Sequence, residues 1–304
     1  MKSSPLESLL LEYLDYLEIE KNRSPKTRMV YERYLKTFLR QSGMREVKEL
    51  TEDAIRQFRL WLARNESGGK GTTRAKSTQA YYVIAIRSFL KYLAKRDIRT
   101  VSPDKIELPK VPQRQLEVLE YADLERLLSA PKGGTIRDLR DKAILETFFS
   151  TGLRISELCS LDRYIDLERG EVTVRGKGEK LRVVFFSEDA RGAIKRYIKA
   201  RTDAEAALFL SYTRQGKPLD RIIPRAVERM MDSRAKAAGV AHKIHPHQLR
   251  HSYATDLLIN GADLRSVQSL LGHASVSTTQ IYTHLTNKEL RDVHEAFHGR
   301  RRGR

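Results

Sequence analysis

The stretch 98–116 limits the fold of this chain more than any other feature. Pro103, Pro109 and Pro112 stand there among lysines and arginines, with little periodic pattern. Prolines without apolar periodicity read as an extended connection, so the segment is taken as a basic interdomain linker. About 19 residues of extended chain span roughly 50 Å or more, enough to pass along a duplex. A chain of 304 residues has room for a separate core on each side. The expected division is therefore a helical domain over 1–97, the linker over 98–116 and a second domain over 117–304.

Residues 1–97 read as all helix. Leu6, Leu9, Leu10, Tyr13, Leu14 and Leu17 recur at helical spacing. Ser24-Pro25 opens a second helix with Pro25 at its first position, and Tyr31, Tyr34, Leu35, Phe38 and Leu39 make its apolar face. Thr51 suits the N-cap of a third, which holds Ala54, Ile55, Phe58 and Leu62. Ser77 is expected to cap a fourth, with Tyr81, Ile84, Ala85, Phe89 and Leu93 inward. Between the third and fourth, Ser67 to Lys76 is glycine-rich and basic, which suits a loop that is mobile or pressed against phosphate.

Residues 117–304 read as mixed but mostly helical. Helices are expected at 121–129, 137–150, 154–160, 188–201, 222–238, 246–260, 263–271 and 287–297. Glu171–Arg175, Gly176-Lys177-Gly178 and Lys180–Phe186 make a hairpin with a lysine at its glycine-flanked turn. The fold class is thus mainly α with a small β-hairpin or sheet in the second domain.

The formal charge is +18. Residues 1–110 hold 23 basic and 14 acidic side chains, and residues 111–304 hold 34 and 25, so each part carries +9. Two basic halves suit a polyanion touched by both, most simply duplex DNA or RNA. The plain alternative is a soluble surface rich in lysine and arginine. No apolar run approaches the roughly 18 residues of a membrane span, and Met1–Leu10 lacks the pattern of a signal peptide. The single cysteine, Cys159, cannot form an internal disulfide or build a thiolate zinc site, and it fits a reducing compartment. No membrane partner is expected, and the expected location is cytoplasmic and nucleoid-associated.

Six residues stand out for chemistry. Arg154 follows Thr151-Gly152-Leu153, where glycine permits a tight turn into a helix, and Glu157 three residues on can cap that helix or orient the guanidinium. Arginine stays charged, and its planar fork contacts two phosphate oxygens. His247 and Arg250 share one face of a helix announced by Pro246. A second arginine beside a histidine suits a phosphate whose charge rises in a pentacoordinate transition state. Lys177 at the hairpin tip can approach DNA closely and give a proton to a leaving oxygen. His273 follows Gly272 at a helix end, and Tyr282 lies nine residues later. A tyrosine hydroxyl titrates near pH 10, so attack at neutral pH needs proton removal and nearby positive charge. Taken singly, each residue has an ordinary explanation: a surface arginine, a capping histidine, a hairpin-tip lysine, a half-buried aromatic. His247 and His251, at i and i+4, also have the spacing of a zinc pair, but without the acidic residue of the usual helix motif.

The order and combination of these residues resemble the tyrosine recombinase/integrase family, specifically its short Xer-type members, over essentially the whole length. T-G-L-R-I-S-E-L resembles the first arginine box and places the first catalytic arginine at Arg154. R-G-K-G-E-K-L-R-V resembles the hairpin and places the lysine at Lys177. H-P-H-Q-L-R-H resembles the second box, with His247 and Arg250. L-G-H followed by T-T-Q-I-Y-T-H places the last histidine at His273 and the nucleophile at Tyr282. Two departures are visible: Val183–Phe186 lacks an expected proline, and Gly299 follows His298 where proline is usual.

The resemblance implies a two-domain, C-shaped DNA clamp with a SAM-like core-binding domain and a catalytic domain. It implies site-specific recombination through a 3′-phosphotyrosyl intermediate and a Holliday junction, without cofactor or metal. The implied partners are duplex DNA with an inverted-repeat site, a homotetramer or heterotetramer on two sites joined by the terminal helix near Leu290–Phe297, and a DNA translocase activator of the kind some members need. Chromosome dimer resolution is the expected role, and a phage or mobile-element integrase of the same family is the close alternative. A DNA-binding protein without catalysis and a metal-dependent nuclease using the histidines are the readings from other classes. Intact Tyr282, Arg154 and Arg250 oppose the first, and the lack of a carboxylate cluster opposes the second.

Overall fold

The computed structural model describes residues 5–64, 75–109, 119–176 and 181–272. The chain divides into two compact units, Met1–Gln115 and Leu116–Arg304.

Among its described residues, the regular elements of the first unit are all helical. Helices α1 (Pro5–Asp15), α2 (Pro25–Ser42), α3 (Glu52–Arg64) and α4 (Lys76–Lys95) surround one apolar core, and a π-turn over Tyr16–Glu20 extends α1. Pro25 sits in the first turn of α2, and the Ser24 hydroxyl accepts from the Thr27 amide at 3.3 Å. Thr51 caps α3 through the Ala54 amide at 3.2 Å. Two expectations about α4 need correction. The helix starts at Lys76 behind an extended Ala75, so Ser77 lies inside the first turn and is not the cap. Tyr81 and Ile84 are 57% and 37% exposed, whereas Tyr82, Val83, Ile86 and Leu90 are buried with Ala85, Phe89 and Leu93. Apolar residues occur on every side of α4, so periodicity alone does not choose the face that meets α2 and α3. The segment read as a linker begins here as packed chain. Ile98 and Val101 lie against the core, Ile106 is buried in it, and a 3-10 turn covers Pro103–Lys105. Of the loop expected over Ser67–Lys76, positions 67–74 lie outside the described residues.

The second unit winds around α6 (Ile136–Thr151), which is buried on most sides between α5 (Tyr121–Ser129) and two later helices, α8 (Glu188–Ala200) and α10 (Pro246–Ile259). Thr135 caps α6 by accepting from the Asp138 amide at 3.2 Å. The short helix α7 (Ile155–Ser160) follows directly, then the antiparallel hairpin β1 (Glu171–Arg175) and β2 (Leu181–Phe185), in which Thr173 pairs with Val183. A second antiparallel pair, β3 (Leu210–Tyr212) and β4 (Pro218–Arg221), has an irregular register and was not expected from the sequence. Helices α9 (Pro224–Ala237) and α11 (Leu264–Leu271) complete the described part. Expected and observed helix limits agree within two residues wherever both exist; the helix expected at 287–297 lies outside the described residues. The overall class, mainly helical with small antiparallel sheets, is as the sequence predicts.

Candidate active site

The site is built where the first turn of α7, strand β2 and the two ends of α10 and α11 meet. α6 stops at Gly152, whose φ of +58° places it in the left-handed region that favours glycine. A Cβ there would also collide with the Tyr253 ring of α10. The chain then turns through Leu153 and presents Arg154 as the N-cap residue of α7.

Glu157 organises that turn. Its Oε2 accepts the Arg154 amide at 2.8 Å, and its Oε1 accepts Arg154 Nη1 at 2.8 Å. The same carboxylate receives a fork from Arg182 of β2, Nη1 to Oε1 at 2.9 Å and Nη2 to Oε2 at 2.7 Å. Burial works to raise the Glu157 pKa, but hydrogen bonds from Arg182 and from the Arg154 amide and guanidinium outweigh it and hold the carboxyl at about 2. Glu157 is therefore ionised throughout the neutral range.

Three guanidiniums then close the far end of α11. Arg182 Nε donates to the Leu270 carbonyl at 3.0 Å, Arg250 Nη2 to Leu271 at 2.5 Å, and Arg154 Nη2 to Gly272 at 3.3 Å. A helix leaves its last carbonyls without intrahelical partners and carries partial negative charge there, so cations are well placed. Arg250 also donates from Nη1 to the Gly152 carbonyl at 2.5 Å, which ties α10 directly to the turn before Arg154. Arg250 is buried, while the Arg154 side chain keeps 28% of its surface. Gly272 ends α11 with φ +63°, and a Cβ on it would come within 2.9 Å of Arg182 Cδ.

His247 stands in the first turn of α10, one turn before Arg250. Partial burial and then the charges of Arg250 and Arg154 lower its pKa below the ordinary histidine value, which favours the neutral imidazole. His251 is pushed down further, to about 4, first by burial and then by His247 and Arg250. Among the described residues no group of three or more His, Cys, Asp or Glu side chains is placed to hold a metal ion.

The structure thus gathers Arg154, His247 and Arg250 in one corner. Lys177, His273 and Tyr282 lie outside the described residues, as does the terminal helix near Leu290–Phe297. Arg182 was not singled out in the sequence. Its signal was alternation: it shares a strand face with Val184, which is buried, so an arginine there points inward.

Comparison with known proteins fits this geometry. Residues 117–289 match the phage integrase family, and residues 10–97 match the phage integrase N-terminal SAM-like domain. The tyrosine recombinase XerD of Listeria monocytogenes serovar 1/2a is 36% identical, over 97% of this chain and 100% of that protein. The tyrosine recombinase XerC of Thermodesulfovibrio yellowstonii is also 36% identical, over 95% of each chain. Among solved structures, the XerA recombinase is 31% identical with a TM-score of 0.53, covering 97% of this chain and 99% of that one. The Tn1549 transposon integrase, in complex with transposon right end DNA, is 21% identical with a TM-score of 0.72, over 95% of this chain and 99% of that one, and shares the fold. The chain belongs to the phage integrase family of tyrosine recombinases. Within it the chain is an Xer-type site-specific recombinase, an enzyme that cleaves and rejoins DNA. No helix among the described residues is long and apolar enough to cross a membrane.

Proposed function

We propose that this enzyme exchanges strands between two inverted-repeat duplex sites through a 3′-phosphotyrosyl intermediate. The Tyr282 hydroxyl attacks the scissile phosphorus and loses its proton to the site. The tyrosine–phosphorus bond forms as the bond to the 5′-oxygen breaks, and Lys177 protonates the leaving oxygen. Arg154 and Arg250 neutralise the non-bridging oxygens as charge builds, with His247 and His273 as hydrogen-bond and proton partners. A 5′-hydroxyl from the partner strand then attacks the phosphotyrosine, restores a phosphodiester and releases the tyrosine, giving a Holliday junction. Bond energy is conserved at each exchange, so the scheme needs neither ATP nor a metal.

The observation that carries this reading is the convergence of Arg154 and Arg250 on adjoining carbonyls, Gly272 and Leu271, at the helix end that immediately precedes His273. His247, in the first turn of the same helix as Arg250, adds an imidazole beside them.

The working assembly in this reading is a tetramer, of one or two kinds of chain, held on two sites by the terminal helix and activated by a DNA translocase. Its task is chromosome dimer resolution in the cytoplasm. Similarity to XerC and XerD chains over nearly the whole length favours this role over mobile-element integration. Tyr282→Phe is expected to abolish cleavage of a nicked inverted-repeat duplex and leave affinity for it unchanged. Loss of binding by a folded Tyr282→Phe protein contradicts the assignment. Deleting 287–304 should block synapsis and spare binding of a single site; normal recombination by the truncated chain refutes the role given to the terminal helix.

A further inference from the structure

We infer that Arg182 is a positioning residue for strand cleavage, acting through Glu157 on Arg154 and through the Leu270 carbonyl on the point where the chain leaves α11 toward His273. The inference rests on the proposed role of Arg154 as a phosphate ligand.

Three observations carry it. First, the Arg182 guanidinium is committed to the site and not to solvent. Its side chain is 8% exposed, its fork fills both oxygens of Glu157, and its Nε serves Leu270. Second, Glu157 is the residue that fixes Arg154, by both its amide and its guanidinium. A carboxylate held from one side by Arg182 cannot swing with Arg154, so Arg154 is aimed from a fixed support. Third, the Arg182 aliphatic stem passes under Gly272, where a Cβ would come within 2.9 Å of it. Glycine before His273 is thus required twice, for the left-handed C-cap and for the passage of Arg182.

The connection also has a direction. Arg182 belongs to β2, which begins four residues after Lys177 in the chain. One side chain therefore links the strand behind Lys177, the turn behind Arg154 and the helix end before His273. Stability alone does not explain such an arrangement. A buried arginine–carboxylate pair is at best weak evidence for stabilisation, because well-packed apolar residues often hold a fold as well or better. A planar fork with a third donor at Nε, by contrast, fixes orientation in a way a lysine cannot reproduce.

The test is Arg182→Lys, which keeps the charge and removes the fork, beside Glu157→Gln and the double variant. Each is assayed for single-turnover formation of covalent protein–DNA adduct on a nicked inverted-repeat duplex at saturating protein. The same duplex gives the dissociation constant, and thermal melting gives the fold. A misplacement of about 1 Å at a reacting centre costs on the order of 100-fold in rate. We expect Arg182→Lys to slow adduct formation by about that factor with binding within about threefold of wild type. The double variant should be no slower than the slower single one, since the two residues act as one unit. Should Arg182→Lys melt below the assay temperature, Glu157→Asp, which keeps the charge and shortens the arm, takes its place with the same expectation. Cleavage at the wild-type rate, loss of cleavage only in proportion to binding, or additive losses in the double variant would each overturn the inference. Failure of the parent reading looks different: wild-type protein would then form no adduct that depends on Tyr282.

Discussion

The two units bury different things. In the first, the buried side chains are apolar, and much of the core is aromatic: Tyr13 packs on Phe89 and Tyr92 with ring centres 5.3 Å apart, and Phe38 on Phe58 at 4.9 Å. Its ion pairs, such as Arg28 with Asp15 and Lys36 with Glu32, lie toward solvent. In the second, Arg140, Asp141, Glu146, Glu157, Arg201 and Arg250 are buried. Each has a charged or carbonyl partner: Arg140 on Asp141 and the Leu210 carbonyl, Arg201 on Asp203 and the Ala207 and Leu208 carbonyls, Lys142 on Glu146. Taking charge out of water is costly unless every charge is met. The second unit is the one that accepts this cost, and the groups that meet it include Glu157, Arg182 and Arg250. A preorganised cationic corner cannot be made from surface side chains that move independently.

The comparison sets the order of expected effects. Glu157→Ala leaves Arg182 buried and without its carboxylate, and should lower the stability of the second unit by about 3–5 kcal/mol, read from its urea midpoint. An unchanged midpoint would mean that the buried pairing is not what holds this corner. Gly152→Ala forces a side chain into a left-handed turn and against Tyr253, and should cost about 1–3 kcal/mol with loss of Arg154 placement. Acid should act on the second unit in two steps. His251, lowered from 6.5 to about 4, binds its proton more readily when unfolded, so the stability it contributes is present above 6.5 and lost as pH falls toward 4. Glu157, lowered from 4.5 to about 2, contributes stability present above 4.5 and lost as pH falls toward 2. In Glu157→Gln the lower step should shrink in the pH dependence of the melting temperature, because Asp138 and Asp203, also held below the ordinary carboxylate range, still contribute to it; the upper step should remain. The smallest effect belongs to the first unit: Lys36→Ala, which removes an exposed i,i+4 pair, should change stability by no more than about 0.3–0.5 kcal/mol, and less in high salt.

Much of this was legible in the residues. Caps and prolines fixed the starts of α2, α3 and α10, because Ser24, Thr51 and Pro246 satisfy or remove amides that no helix can pair. The Thr151–Leu158 run announced the turn and the placement of Arg154. What stayed hidden depended on tertiary contacts. Apolar residues all round α4 concealed which face was buried, and the three- and four-residue strands β3 and β4 are too short to show a period. Arg182 was not singled out, because its partners Glu157 and Leu270 lie 25 and 88 residues away in the chain. That three arginines would share the last carbonyls of α11 could not be read locally, because their partners lie 21 to 118 residues away.

In the proposed mechanism the cationic corner serves a tyrosine nucleophile at position 282. Wild-type protein incubated with a nicked inverted-repeat duplex in chelator, denatured, digested and mapped by mass spectrometry tests it directly. A nucleotide-bearing peptide modified at Tyr282, present in wild type and absent in Arg154→Ala and Tyr282→Phe, is the predicted result. An adduct on another residue, or one that survives loss of Tyr282, would contradict the account.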